Sequence, residues 1–580
     1  MSNSLFRTKS IEKIVSEGSD ESHGGSLKRV LTVKDLTFFG IAAILGAGSF
    51  SSLGGAVFNG GPGVIILFII TGIACAFTAF CYSDFASRIP VAGSAYTYAY
   101  ASFGELFAWI IGWALIMEYS IGNIYVAYSW SDYFTSFLER LHVHLPAYLT
   151  TSYMEAKHAI EAGTTNAEFI SAWNGSPVFA GVKFIVDLPA FVINILITCL
   201  VYIGIKESKN FSNLMVILKL GVVFLIIIVG GYLVLHNGLT HNWLPENTEG
   251  VKSFMPNGFK GVMAAVAGVF FAYIGFDAVS VLAEESKDPQ RDLPRGMIYS
   301  LVICTVIYIL LTLVLTGAVH YQNFENVGDP LAFIFEPQNL DIAWMQLLVS
   351  ICAVVAMTSV LLVFQMGQPR IWMSMSRDGL MPPVFQKIHP KFKTPSFSTI
   401  ITGLVVGIPI LFTDKTFVLD FTSIATLFAF VLVCGGVLFL PIKEKVAGKF
   451  HLPFISSRYI FPGIIIVSML LVYFNVNQYF SSLFVFNTDT ATLTYNVSAI
   501  IFWIICLILA IGTFIKNWSL IPLMGLVTCL YLLTGMTAMN WAWFGGWLLI
   551  GLVIYLLYGY KKSKLANPQF LIPNHPNPNS

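Results

Sequence analysis

The sequence predicts an all-α polytopic membrane protein, and three observations carry that prediction. Of its 580 residues 56% are hydrophobic and 11% charged, with a mean hydropathy of +0.75, whereas soluble domains carry about 25% charged residues. Apolar runs long enough to cross a bilayer, about 20 residues each, recur about fourteen times. Two of those runs are interrupted near their middles, at Gly46-Ala47-Gly48 and at Ile274-Gly275.

In chain order, residues 1–34 form a polar, basic tail without the apolar core of a signal peptide. Spans follow at roughly 35–57, 63–87, 106–137, 187–204, 211–235, 258–283, 297–319, 343–369, 398–413, 417–440, 459–475, 496–515, 518–534 and 541–560. Pro409 and the short turn at 413–416 divide one apolar block into the ninth and tenth. A long loop at 138–186 and a basic loop at 370–397 with four prolines are the largest connections, and neither is large enough for a separate catalytic domain. Residues 561–580 are a short tail, basic and then Pro/Asn-rich.

Lysine and arginine collect in loops on the cytoplasmic side of membrane proteins. With the N-terminus inside, inner segments carry 25 of the 32 basic residues, outer segments carry Arg140, Lys157, Lys183, Lys252, Lys260 and Lys415, and Lys219 lies within a span. Both termini are therefore expected in the cytoplasm, in a plasma membrane of the bacterial inner-membrane kind. A formal net charge of +1 gives no reason to expect a nucleic-acid partner. All eight cysteines fall in apolar runs with no CxxC pair, so neither a disulfide framework nor a metal site is expected. The sequence has no nucleophile–base pair, so no enzyme and no cofactor is expected.

The breaks carry the chemistry. Glycine lets the backbone leave helical geometry and approach a ligand closely, and at bilayer depth freed N–H and C=O groups must bond protein or hold a ligand. Past Gly46-Ala47-Gly48 a second half-helix begins, and its N–H groups suit an anion such as a carboxylate. The competing reading is a small-residue packing seam through Gly40, Ile44 and Gly48. At the second break the carbonyls of Phe271, Ala272 and Ile274 suit a cation. Together the poles fit an α-amino acid, and interrupted spans at matching positions are a mark of secondary transporters.

The run Phe270-Phe271-Ala272-Tyr273-Ile274-Gly275-Phe276-Asp277-Ala278-Val279-Ser280, followed by Ala283-Glu284-Glu285-Ser286, resembles the sixth segment of the cationic amino acid transporter family. That family belongs to the amino acid–polyamine–organocation superfamily. Ile89-Pro90-Val91-Ala92-Gly93-Ser94-Ala95-Tyr96, Pro289-Gln290-Arg291-Asp292-Leu293-Pro294 and Ser376-Arg377-Asp378-Gly379-Leu380 resemble its inner loops in the same order. The resemblance implies a transporter core at 35–440 built from two inverted five-helix repeats, about 35–235 and 258–440. Four peripheral helices at 441–560 follow. It also implies that the substrate carboxylate is held by backbone at Ile44 and Gly46 to Gly48, and the amino group by the carbonyls of Phe271, Ala272 and Ile274. The family often has a hydroxyl residue where Ala47 stands, and alanine lacks that hydrogen bond. Exchangers that bind a single-pass heavy chain use an outer-loop cysteine, and none is present here, so no disulfide-linked heavy chain is expected.

Lys219 lies about 12 Å from the inner end of its span at 1.5 Å per residue, and such a charge costs at least about 2.5–3.5 kcal/mol to insert. It is either a snorkelling side chain or a functional one. Its position is similar to a fifth-segment lysine of bacterial and proton-coupled relatives, where an ammonium stands in place of a sodium ion. That likeness implies proton coupling. Glu118 pairs with a buried cation, carries protons or bonds a neighbouring helix. Asp277 reaches a basic side chain or caps the broken helix. Phe271 and Tyr273 are candidate gate residues, with packing as the alternative for Tyr273. The leading reading is a proton-coupled amino acid symporter in the lipid bilayer. Its rivals are an ion-independent uniporter or exchanger of cationic amino acids and a non-transporting amino acid sensor.

Overall fold

The computed structural model describes residues 5, 7–9, 31–46, 48–89, 94–163, 166–179, 181–204, 209–246, 250–392, 394–439, 450–475, 479–485 and 490–566. Each expected span contains helix among its described residues. The first is α1, Val33–Ile44, and, after a bend and a five-residue π-helical turn at Gly48–Ser52, α2, Leu53–Gly60. The Asp35 carboxylate accepts hydrogen bonds from the Thr32 N–H (2.9 Å) and hydroxyl (2.6 Å), which tie the start of α1. A Gly61-Pro62-Gly63 turn leads into α3, Val64–Arg88, and a connector helix α4, Ser94–Ser102, precedes α5, Glu105–Arg140. Next come α6, Leu188–Ile203, and α7, Lys209–His236.

The sixth span starts with α8, Gly258–Ala264, and α9, Val266–Phe271. It resumes as a 3-10 helix at Asp277–Glu285, where an α-helix would be the default. The remaining spans are α10, Pro289–Ala318; α11, Ala343–Arg377; α12, Ser396–Ile410; α13, Lys415–Phe439; α14, Ile460–Asn475; α15, Thr490–Lys516; α16, Leu520–Leu533; and α17, Ala538–Ile554. The long loop holds two short helices, Tyr153–Glu161 and Ala167–Gly175, and a hairpin of two-residue strands, Val178–Phe179 with Val182–Lys183.

Packing follows a step of five spans. The second span meets the seventh (α3 with α10), the third meets the eighth (α5 with α11), and the fourth meets the ninth (α6 with α12). The apolar window of α5 is 89% buried, so α5 is the central pillar, while those of α7, α15 and α17 are 28%, 22% and 22% buried and present apolar side chains outward.

At the end of the bundle that carries both termini, Glu105 is a hub. Its carboxylate, 1% exposed, accepts Tyr555 (2.9 Å), Ser563 (2.5 Å) and Tyr100 (3.2 Å), and Arg7 lies 3.7 Å away. Arg7 also stacks over Tyr560, while Lys9 pairs at 3.1 Å with Asp378, which accepts Tyr96 at 2.6 Å. Both ends of the chain thus converge on two carboxylates. Removing one partner of a buried charged cluster costs about 3–5 kcal/mol. Glu105→Leu is therefore expected to lower the unfolding midpoint in detergent clearly, and Glu105→Gln, which keeps an acceptor, to lower it less. Equal midpoints for both variants and the parent would remove the hub.

Candidate substrate site

Two positions force the interrupted spans together. A Cβ added at Gly48 would lie 2.4 Å from Ala272 Cα, so only glycine lets the two breaks touch. Gly275 has φ +112° and packs on the Ala43 backbone, with its ideal Cβ 3.0 Å from the Ala43 carbonyl carbon.

Around that contact the freed carbonyls are served by side chains from other spans. Lys219 of α7, 2% exposed, donates to the carbonyls of Ala42 (3.2 Å) and Leu45 (3.3 Å) at the end of α1. Tyr308 of α10, fully buried, stands 2.9 Å from the Ile44 carbonyl and 2.6 Å from the Ala272 carbonyl, so one hydroxyl bridges both breaks. A hydroxyl has one proton to give, which leaves lone pairs on these carbonyls for a further donor. Ser52 bridges likewise, its Oγ 2.6 Å from the Gly48 carbonyl and 2.9 Å from that of Gly268. Ser423 of α13 donates to Ala267 at 2.9 Å.

Above the breaks, toward the end that carries the 138–186 loop, lies a vestibule of about 490 Å³. Its floor includes Ser51, Ser52, Tyr125 and Gly268, and its walls carry Asp132, Glu155, Glu168, Asp329 and Asp420 with Lys415. Burial pushes the carboxyl groups of Glu155 and Asp329 up, to about 8 and about 7 respectively. Tyr125 closes the floor over the second break, its ring edge-on to Phe271 at 4.6 Å.

The sequence-predicted residues fall as follows. Ile44, Gly48, Phe271 and Ala272 are brought together. The Gly46 carbonyl accepts the N–H groups of Ser49 and Phe50, both at 3.1 Å, and Ile274 donates its N–H to Phe271 at 3.1 Å. Ala47 lies outside the described residues. Asp277, 2% exposed, is the first residue of the 3-10 helix past the second break. Glu118, 3% exposed, lies buried midway along α5. Tyr273 donates to the Phe68 carbonyl at 2.8 Å and is not part of the vestibule lining. Sequence reasoning missed Tyr308, Tyr125, Ser52 and the Lys415–Asp132 pair. The hydroxyl cluster Ser49-Phe50-Ser51-Ser52 just past the first break is the signal that points to Ser52.

Tyr308→Phe leaves two buried carbonyls without their bridge, a loss of about 1–3 kcal/mol. The expected result is a rise of about tenfold in the KM for uptake, measured in proteoliposomes. An unchanged KM would show that the bridge is incidental to substrate.

Interrupted helices, an ammonium and a bridging hydroxyl in one buried centre below a polar vestibule define a membrane permease. Residues 31–509 match the family described as amino acid permease, and residues 520–563 match the C-terminus of that family. The chain belongs to the amino acid permease family, within the superfamily that its motifs resemble. It is 37% identical to the branched-chain amino acid permease BcaP of Bacillus subtilis over 97% of this chain and 100% of that protein. A methylthioribose transporter of the same organism is 40% identical over 78% of this chain and 89% of its own length. The vacuolar cationic amino acid transporter 4 of Arabidopsis thaliana is 35% identical over 76% of this chain and 67% of its own.

Proposed function

We propose that this permease carries an amino acid together with a proton, by alternating access around the paired breaks, with Lys219 as the coupling group. The observation that carries the reading is the Lys219 ammonium on the Ala42 and Leu45 carbonyls. An ammonium there fills with a protein group, whose proton can leave and return, the place where a metal cation would otherwise neutralise the carbonyls. The substrate carboxylate would meet the start of the π-helical turn at Gly48, and its amino group the lone pairs left at Ile44 and Ala272. The five-span step in packing supports two inverted repeats, 35–235 and 258–440, with the rest peripheral. The basic-residue bias supports cytoplasmic termini and an outward-facing vestibule, and the likeness to two Bacillus subtilis transporters supports a bacterial plasma membrane.

The test is uptake of radiolabelled alanine, leucine, arginine and lysine into proteoliposomes, with and without an inward proton gradient. Gradient-driven accumulation of one of them is expected. A second reading, ion-independent movement of cationic amino acids, is favoured by the carboxylate-lined vestibule, and it predicts uptake of arginine or lysine that ignores the proton gradient. Binding without movement of label under any gradient or counterflow would leave the sensor reading.

A further inference from the structure

The acidic vestibule contains a cation of its own. Lys415, at the first turn of α13, has a side chain 15% exposed and forms an ion pair with Asp132 of α5. Its Nζ stands 5.7 Å from the centroid of the Tyr125 ring, and that ring lies against Phe271 at the second break. An ammonium on the face of an aromatic ring is an attractive arrangement in itself. Lys415, Tyr125 and Phe271 therefore form a continuous column from the vestibule wall to the break, and a substrate side chain reaching up from the break meets its upper end.

We propose that Lys415 sets the charge selectivity of the permease: it occupies the place that the side-chain ammonium of a cationic amino acid would take, so the chain favours amino acids with uncharged side chains. This rests on the reading that amino acids are carried through the paired breaks. A second ammonium in the column would meet the first across an aromatic ring, with Asp132 already paired, and like charges brought together at an interface act as a filter against the wrong partner. Burial favours the neutral form of Glu155, which reduces its value as an alternative anion for an incoming cation near neutral pH.

The experiment is uptake of radiolabelled leucine and lysine by proteoliposomes containing the full chain, with glutamate as a competitor. The parent is expected to take up leucine over lysine. Lys415→Met frees Asp132, and the lysine-to-leucine ratio is expected to rise at least about tenfold. The double variant Lys415→Met/Asp132→Asn lacks both the repelling ammonium and the freed carboxylate, and its ratio is expected to fall below that of the single variant while staying above the parent's, a partial reversal that a purely structural role would not produce. Asp132→Asn alone leaves the ammonium without that counter-ion, and glutamate is expected to compete more strongly against leucine. This arm stands even if the single methionine variant fails to fold. A ratio unmoved in Lys415→Met, a double variant that keeps the single variant's ratio, or glutamate competition unchanged in Asp132→Asn would overturn the proposal. A parent that takes up both amino acids alike overturns this proposal alone, and a parent that takes up no amino acid overturns the carrier reading as well.

Discussion

Methionine at position 219 is expected to abolish proton-driven accumulation while sparing counterflow of labelled substrate. The Lys219 ammonium reaches two carbonyls at the end of α1, at 3.2 Å and 3.3 Å, where the helix's own N–H donors run out. Hydrogen bonds to a charged group contribute about 1.5–3 kcal/mol each. A protonated lysine therefore holds the end of α1 in its present position, and loss of the proton weakens that hold. On the proposed reading this gives the coupling a physical form: proton occupancy would bias the arrangement of the first break, where substrate is proposed to bind. An inward gradient of about one pH unit is worth about 1.4 kcal/mol per proton, enough for about tenfold accumulation at one proton per substrate. Lys219→Met should reduce that ratio to one and remove the pH dependence of uptake. Lys219→Arg, whose charge is permanent, should bind substrate but stall under the gradient. A methionine variant that still concentrates label would sink coupling through this residue.

Much of the architecture was legible because the bilayer imposes a length. A span needs about 20 apolar residues, and the positions of runs such as 343–369 and 417–440 follow from that count alone. The breaks were legible because glycine and alanine interrupt otherwise bulky runs, and Lys219 because a charge in such a run is costly. Other parts of the site carried no such mark. Tyr308 and Tyr125 sit among apolar neighbours, where an aromatic residue reads as packing, and their roles arise only from what other spans bring to them. Lys415 was counted with the outer charges, but its partner lies 283 residues away in sequence. The 3-10 form of Asp277–Glu285 was equally hidden. Nothing in its composition departs from an α-helix, and the close approach of Gly275 to Ala43 lies just before it. The hub at Glu105 joins both ends of the chain, a long-range arrangement that local pattern cannot express.

Alanine at position 48 is expected to reduce uptake about a hundredfold with a smaller effect on folding. Its Cβ would lie 2.4 Å from Ala272 Cα, 3.1 Å from Ala272 N and 3.2 Å from Ala272 Cβ. Carbon atoms pack best about 3.5–4.0 Å apart, so the breaks must separate by about 1 Å or more, and two of the three obstructing atoms belong to backbone. Such overpacking costs about 1–3 kcal/mol of stability. A displacement of about 1 Å at a reacting or binding centre, in contrast, has cost about a hundredfold in enzymes. Two other glycines on the same span separate the causes. At Gly46 the nearest obstruction is the Val360 side chain, at 2.6 Å, which can give way, so Gly46→Ala should be milder. At Gly55 an added Cβ meets nothing within 4 Å, and alanine there should be neutral for uptake and slightly stabilising for the helix. The measurement is initial uptake rate beside the unfolding midpoint for all three variants. Retention of parental KM and rate by Gly48→Ala would mean that contact between the two breaks is not part of the transport site, and the backbone poles would have to be sought elsewhere in the bundle.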